Sequence, residues 1–335
     1  MKRRTFLAGV GGAVGAGARS AAIGPEAEAA QPGGIPRRVM GRTGFAVSVV
    51  GFPGLALRNH DQQECTAKVR LAFEHGVNYF DVAPAYGRDG ECEIKLGVAL
   101  DGIPRDRCFL SSKTRLDDAQ GARRELERSL RRLKTDYLDL YQLHCLERVD
   151  EVQQALGGGG AMEVILRAKE TGMVRDIGFS AHTTEAALAA LNGFAFDTCM
   201  FPINFVEQFQ TGFGPEVLER AREKGAAVIA IKPNSRGLWP KGVEKTIPWW
   251  YRPIENPDEM RRAMRWVLSQ PGVVTGLPSS WFSVFDMTLD AVRDLKPVSD
   301  QETRALRQLA SRCEPIFQRD KRKAGPVSPH DRRVA

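Results

Sequence analysis

The sequence predicts an α/β fold, a single (β/α)8 or TIM barrel, from three observations. Apolar runs of strand length alternate with amphipathic stretches of helical spacing from residue 40 onward. Strict alternation favours parallel strands joined by right-handed crossovers. Eight such units fit within about 250 residues, the size expected of a closed eight-stranded barrel. A doubly wound sheet would usually carry Gly-x-Gly-x-x-Gly after its first strand, and here that turn reads Gly51-Phe52-Pro53-Gly54.

The chain divides into a segment 1–29, a linker 30–38, the barrel 39–318 and a basic tail 319–335 expected to lie outside the packed core and to be disordered. Lys2-Arg3-Arg4-Thr5-Phe6-Leu7 is a charged start followed by an apolar Gly/Ala stretch of about fourteen residues, short of the ~20 that span a bilayer. Ala27-Glu28-Ala29 offers a small-x-small cleavage site. This opening resembles a twin-arginine export signal, which implies passage of an already folded chain through the twin-arginine machinery to a periplasmic or other extracytoplasmic place. No stable membrane span is expected in the mature chain.

Strands are expected at 47–51, 77–80, 108–113, 137–144, 174–180, 198–203, 226–232 and 272–276. Helical segments end near 75 and cover 91–100, 122–133, 161–170, 185–191, 215–224 and 260–268, with Gly157 to Gly160 a flexible joint. The net charge of +7 lies mostly at the ends: +2 in residues 1–29, +4 in 319–335 and +1 between them. A nearly neutral body lacks the basic stripe that phosphate backbones require, so nucleic acid is not expected as a partner. Six cysteines are scattered without Cys-x-x-Cys spacing, so neither a zinc or iron–sulfur motif nor a disulfide framework is expected.

Chemistry in such a barrel gathers at the carboxyl ends of the strands. Asp81 ends the second strand, Lys113 the third and His144 the fourth, while Tyr86 follows Asp81 on a loop punctuated by Pro84 and Gly87. Each has an ordinary structural role open to it: a turn cap, a solvated lysine, a core histidine, a packed loop ring. Together they suit reduction of a carbonyl. Hydride arriving at carbon leaves an alkoxide-like oxygen that needs a proton and hydrogen-bond donors. An ordinary tyrosine, with a pKa of about 10, transfers protons poorly near neutrality, and an adjacent ammonium stabilises its phenolate. Lys113 is placed to do this for Tyr86, with Asp81 holding Lys113 and His144 orienting the carbonyl or relaying a proton.

The order Asp81, Tyr86, Lys113, His144 resembles the tetrad of the aldo-keto reductases. The stretches Asn78-Tyr79-Phe80-Asp81, Ser112-Lys113, Asp139 to His144, Ile177-Gly178-Phe179-Ser180 and Lys232-Pro233 are similar to that family's motifs, over about residues 37–300. The resemblance implies an oxidoreductase that reduces a small aldehyde or ketone with NADPH, with NADH possible. It implies Tyr86 as general acid, Ser180 at the nicotinamide amide, Lys232 and Pro233 in cofactor binding, and Gly276, Ser279 and Ser280 at the phosphates. The departures are Ala181 in place of an Asn, Met200 near the position of a Gln, and Ile231 or Lys232 where a Tyr commonly stacks. No Lys or Arg stands between Arg265 and Arg293 to hold a 2′-phosphate, leaving Lys232 or Arg236 for that contact. The long segment Leu238 to Pro257 carries Trp249, Trp250 and Tyr251, read either as an aromatic lid over an apolar substrate or as a packing or partner-contact loop. Cys145 and His182 also fall near the rim, and neither is assigned a chemical role. The competing reading is an exported, non-catalytic barrel that binds a ligand or partner.

Overall fold

The structure, a computed structural model, describes residues 34–317. The expected signal segment, residues 30–33 of the linker, residue 318 and the tail 319–335 lie outside the described residues. The chain opens with an antiparallel hairpin, β1 (Arg37–Val39) and β2 (Ala46–Ser48). Eight parallel strands follow: β3 (Phe52–Pro53), β4 (Tyr79–Asp81), β5 (Phe109–Thr114), β6 (Leu138–Leu146), β7 (Val174–Ala181), β8 (Thr198–Pro202), β9 (Ala227–Ile231) and β10 (Val273–Leu277). Val50 bridges Gly276, and hydrogen bonds of 3.0 Å from Gly51 N to Gly276 O and from Gly276 N to Val49 O close the cylinder.

The first strand differs from expectation. The apolar run at 47–51 is split: its start belongs to the hairpin, its end forms the seam, and the barrel strand itself begins at Phe52. Buried Asn78 makes the split. Its Oδ1 accepts from Ser48 N at 2.7 Å and its Nδ2 donates to Ala46 O at 2.8 Å, so a side chain replaces the backbone ladder there. The hairpin places Met40, Phe45 and Val47 against Tyr79, Phe109, Leu140 and Ile229, filling the barrel's interior with apolar side chains. Burial on that scale contributes roughly 25 cal/mol per Å² of apolar surface.

The outer ring comprises α1 (Gln62–Glu74), α2 (Glu91–Ala99), α3 (Ala119–Leu133), α4 (Val149–Leu156), α5 (Ala161–Glu170), α6 (Thr184–Gly193), α7 (Phe205–Thr211), α8 (Pro215–Lys224), α9 (Pro257–Leu268), α10 (Phe282–Val292) and α11 (Asp300–Ala310). Local chemistry sets many of the ends. Asp61 and Glu64 form a capping box on α1, Pro215 and Pro257 open α8 and α9, and Gly225 stops α8 at φ +69°. Helices α4, α7, α10 and α11 were not expected from periodicity. Short α4 and α7 have few turns in which a repeat can show. Among the described residues, no helix is long and apolar enough to cross a membrane.

Candidate active site

The site is built from the ends of β4, β5 and β6. Gly54 lies so close to the Asp81 carbonyl that a Cβ would collide with it, which lets the β3 exit approach the site. The Asp81 carboxylate accepts from Lys113 Nζ at 2.6 Å, Ser111 Oγ at 2.7 Å and the Tyr79 hydroxyl at 3.2 Å. Burial, with Asp81 beside it, pushes the Tyr79 phenol well above its ordinary pKa, so it stays a donor. Lys113 has no exposed surface; its Nζ also donates to Val82 O at 3.0 Å and lies 3.4 Å from the Tyr86 hydroxyl. A fully buried ammonium is tolerated here because a carboxylate and a carbonyl surround it.

The Tyr86 ring meets the His144 ring edge-on, with centroids 5.7 Å apart. His144 lies where the β6–β7 register slips, between Leu143 and Leu146. Two residues of β6, His144 and Cys145, stand there against one of β7; His144 lines the cleft and Cys145 Sγ meets His182. Burial, then Arg115 and Lys113, holds the His144 imidazole well below its ordinary pKa. It is neutral at pH 7, with one nitrogen a donor and the other an acceptor.

These groups open into a cleft with a cavity volume of about 80 Å³, walled by Asp81, Tyr86, His144, Ser180, Lys232 and Ser280, with Trp249, Trp250 and Tyr251 along one side. Lys113 stands behind Asp81 and Tyr86. The aromatic segment is pinned: Arg236 N donates to Arg252 O, Arg252 N to Gly237 O, and Trp239 Nε1 to Trp249 O. It both packs and lines the cleft. Pro233, Gly276 and Ser279 are not on the cleft wall. Gly276 has its N–H and carbonyl engaged in the barrel seam, Pro233 packs against it, and Ser279 Oγ donates to Tyr251 Oη at 2.8 Å. Arg236 is paired with Glu259 at 3.2 Å. Asp139 sits at the opposite, amino end, bound to Arg105 and Arg175.

A second polar group flanks the cleft. Ser180 Oγ accepts from Cys145 N at 2.7 Å, fixing Cys145 in the left-handed region at φ +62°. His182 Nδ1 is 3.1 Å from Cys145 Sγ, and its Nε2 is 3.0 Å from Lys232 Nζ. Burial, then Lys232 and Arg115, holds the His182 pKa well below its ordinary value. Phe317 stacks on the His182 ring, and its N–H and that of Ile316 are held by the buried Glu207 carboxyl. Burial pushes Glu207 up to about 7. His182 lines the cleft and was not assigned a role from sequence. Its place immediately after β7, two residues beyond Ser180, was the available signal.

The fold is a (β/α)8 barrel with these polar groups gathered at the carboxyl ends of its strands. The sequence profile described as "Aldo/keto reductase family" matches residues 50–310. The chain belongs to the aldo/keto reductase family. It is similar to probable aldo-keto reductase 1 of Glycine max, 24% identical over 230 residues, or 62% of each chain. It is also similar to aldo-keto reductase YhdN of Bacillus subtilis, 26% identical over 280 residues, covering 69% of this chain and 80% of that one. Among solved structures, an aldo-keto reductase from Klebsiella pneumoniae in complex with NADPH superposes with a TM-score of 0.64 at 24% identity, covering 84% of this chain and 97% of the other.

Proposed function

We propose that the protein reduces an aldehyde or ketone to an alcohol with NADPH as hydride source. The observation that carries this reading is the convergence of Tyr86 and Asp81, from separate elements, on the cleft wall beside His144, with Lys113 behind them in contact with both. Tyr86 donates its hydroxyl proton to the carbonyl oxygen, and the Lys113 ammonium stabilises the phenolate that remains. Asp81 holds Lys113 in place. Neutral His144 orients the carbonyl through a hydrogen bond and does not itself supply the proton, because its imidazolium is disfavoured. Leu55 and the Trp249–Tyr251 wall suit an apolar carbonyl compound.

Residues suited to the nicotinamide and phosphate parts of the cofactor support this reading. Ser180 and Lys232 stand at the cleft, and Ser280 precedes α10, whose N-terminus has no side-chain cap and offers backbone N–H groups to phosphate. NADPH, when bound, supplies the hydride to the carbonyl carbon. Because Arg236 already pairs with Glu259, NADH is the comparison cofactor. No observation favours the non-catalytic alternative. Tyr86→Phe keeps the ring and removes the proton. Turnover of a panel of aldehydes, followed by NADPH absorbance, should fall about 10²–10⁴-fold while cofactor binding persists. Unchanged turnover would exclude Tyr86 as the acid.

Residues 1–29, by their resemblance to a twin-arginine signal, support export as the second part of this proposal. Replacing Arg3 and Arg4 with lysine should retain the chain in the cytoplasm on fractionation, and equal export would remove the proposal.

A further inference from the structure

Cys145, His182 and Glu147 bring a thiol sulfur, an imidazole nitrogen and a carboxylate oxygen together, all within 4.8 Å of one another. Sγ lies 3.1 Å from Nδ1 and 3.7 Å from Glu147 Oε1. A tetrahedral zinc, about 2.3 Å from sulfur and about 2.0 Å from nitrogen and oxygen, needs these atoms roughly 3.3–3.6 Å apart. The two distances from sulfur fall within a few tenths of an ångström of that range, and the imidazole and carboxylate ligand atoms lie within 4.8 Å of each other. We propose that Cys145, His182 and Glu147 form a binding site for a thiophilic divalent cation such as Zn²⁺, set in the wall of the cleft beside Ser180.

The donor set selects the ion. Thiolate and imidazole favour Zn²⁺ and its analogue Co²⁺ over Mg²⁺ or Ca²⁺, which take oxygen ligands. Thiolate and carboxylate together balance the two positive charges, and three protein ligands leave one position open to water or an exogenous group. The geometry is held from outside. Ser180 Oγ fixes Cys145 N, the left-handed backbone at Cys145 aims Sγ, and Phe317 stacks on the His182 ring. These are the outer contacts that orient metal ligands.

Lys232 sets the competition. With its ammonium donating to His182 Nε2, the ring carries its proton on Nδ1 and donates to sulfur. A cation on Nδ1 requires the proton on Nε2 instead, so the Lys232 ammonium, which has no acceptor, must withdraw or give up a proton. Metal occupancy and the Lys232–His182 contact are therefore alternative states of one wall.

The test adds Co²⁺ alone to the purified protein, then displaces it with Zn²⁺. One equivalent should produce a sulfur-to-cobalt charge-transfer band that Zn²⁺ abolishes. Cys145→Ser should lose the band, while Cys313→Ser should keep it. Glu147→Gln, at a partly exposed position that does not threaten folding, should weaken binding by at least about 10-fold, since changes even beyond the ligands cost about 10–100-fold. Lys232→Gln, which can accept from Nε2–H, should bind the ion more tightly than wild type. Absence of the band in folded wild type, its persistence in Cys145→Ser, or weaker binding by Lys232→Gln would overturn the proposal. None of these readouts depends on carbonyl reduction.

Discussion

Two buried lysines stand on opposite sides of the rim, and their surroundings differ. Lys113 on β5 meets the carboxylate of Asp81 at 2.6 Å, a charge against a countercharge. Lys232, just past β9 at φ +56°, meets the neutral His182 ring, with the faces of Trp250 and Phe317 each 5.6 Å away. The first ammonium is locked by electrostatics. The second meets a dipole and two ring faces, with the buried Glu207 carboxyl acting on it electrostatically. The two sides of the cleft therefore hold their ammonium groups by different means.

Breaking each pair measures this difference. Lys113→Met leaves Asp81 buried without its countercharge and should cost about 3–5 kcal/mol of stability, read from the denaturant midpoint. Lys232→Met removes a donor from a neutral acceptor and should cost only about 1–3 kcal/mol. Equal losses would erase the distinction. The smallest effect is in the pH dependence. The folded His182 pKa lies below the unfolded value of 6.5, so below that pH the unfolded chain takes up a proton that the folded chain refuses. The contribution is complete above pH 6.5 and lost on acidification. His182→Gln should therefore flatten the acid limb of stability against pH by up to about 1.4 kcal/mol per unit relative to wild type. Glu207, raised to about 7 from 4.5, acts with the opposite sign between those values and remains in both proteins, so the difference isolates the imidazole.

The sequence carried the barrel well because strand and helix periods are local. Alternating runs placed β4 to β10 within a few residues, and α5 and α8 fall at 161–170 and 215–224 as expected. It also placed Asp81, Tyr86, Lys113 and His144 on one rim, since a strand's end shows in the residues around it. Less legible was the first strand, where the Asn78 side chain, thirty positions away, decides which residues pair. The loop after β10 was legible only in part. Ser280 faces the cleft while Ser279 turns to Tyr251, and no local pattern separates two adjacent serines.

From the order of residues alone came the fold class, the strand ends and the four polar groups gathered there, all set by short-range periodicity and by the rule that barrel chemistry sits at one end. Folding in three dimensions decided how the cylinder closes, where the register of β6 slips at His144 and Cys145, and that Cys145 meets His182 and His182 meets Lys232. Those partners are 37 and 50 positions apart, and no local period spans such distances.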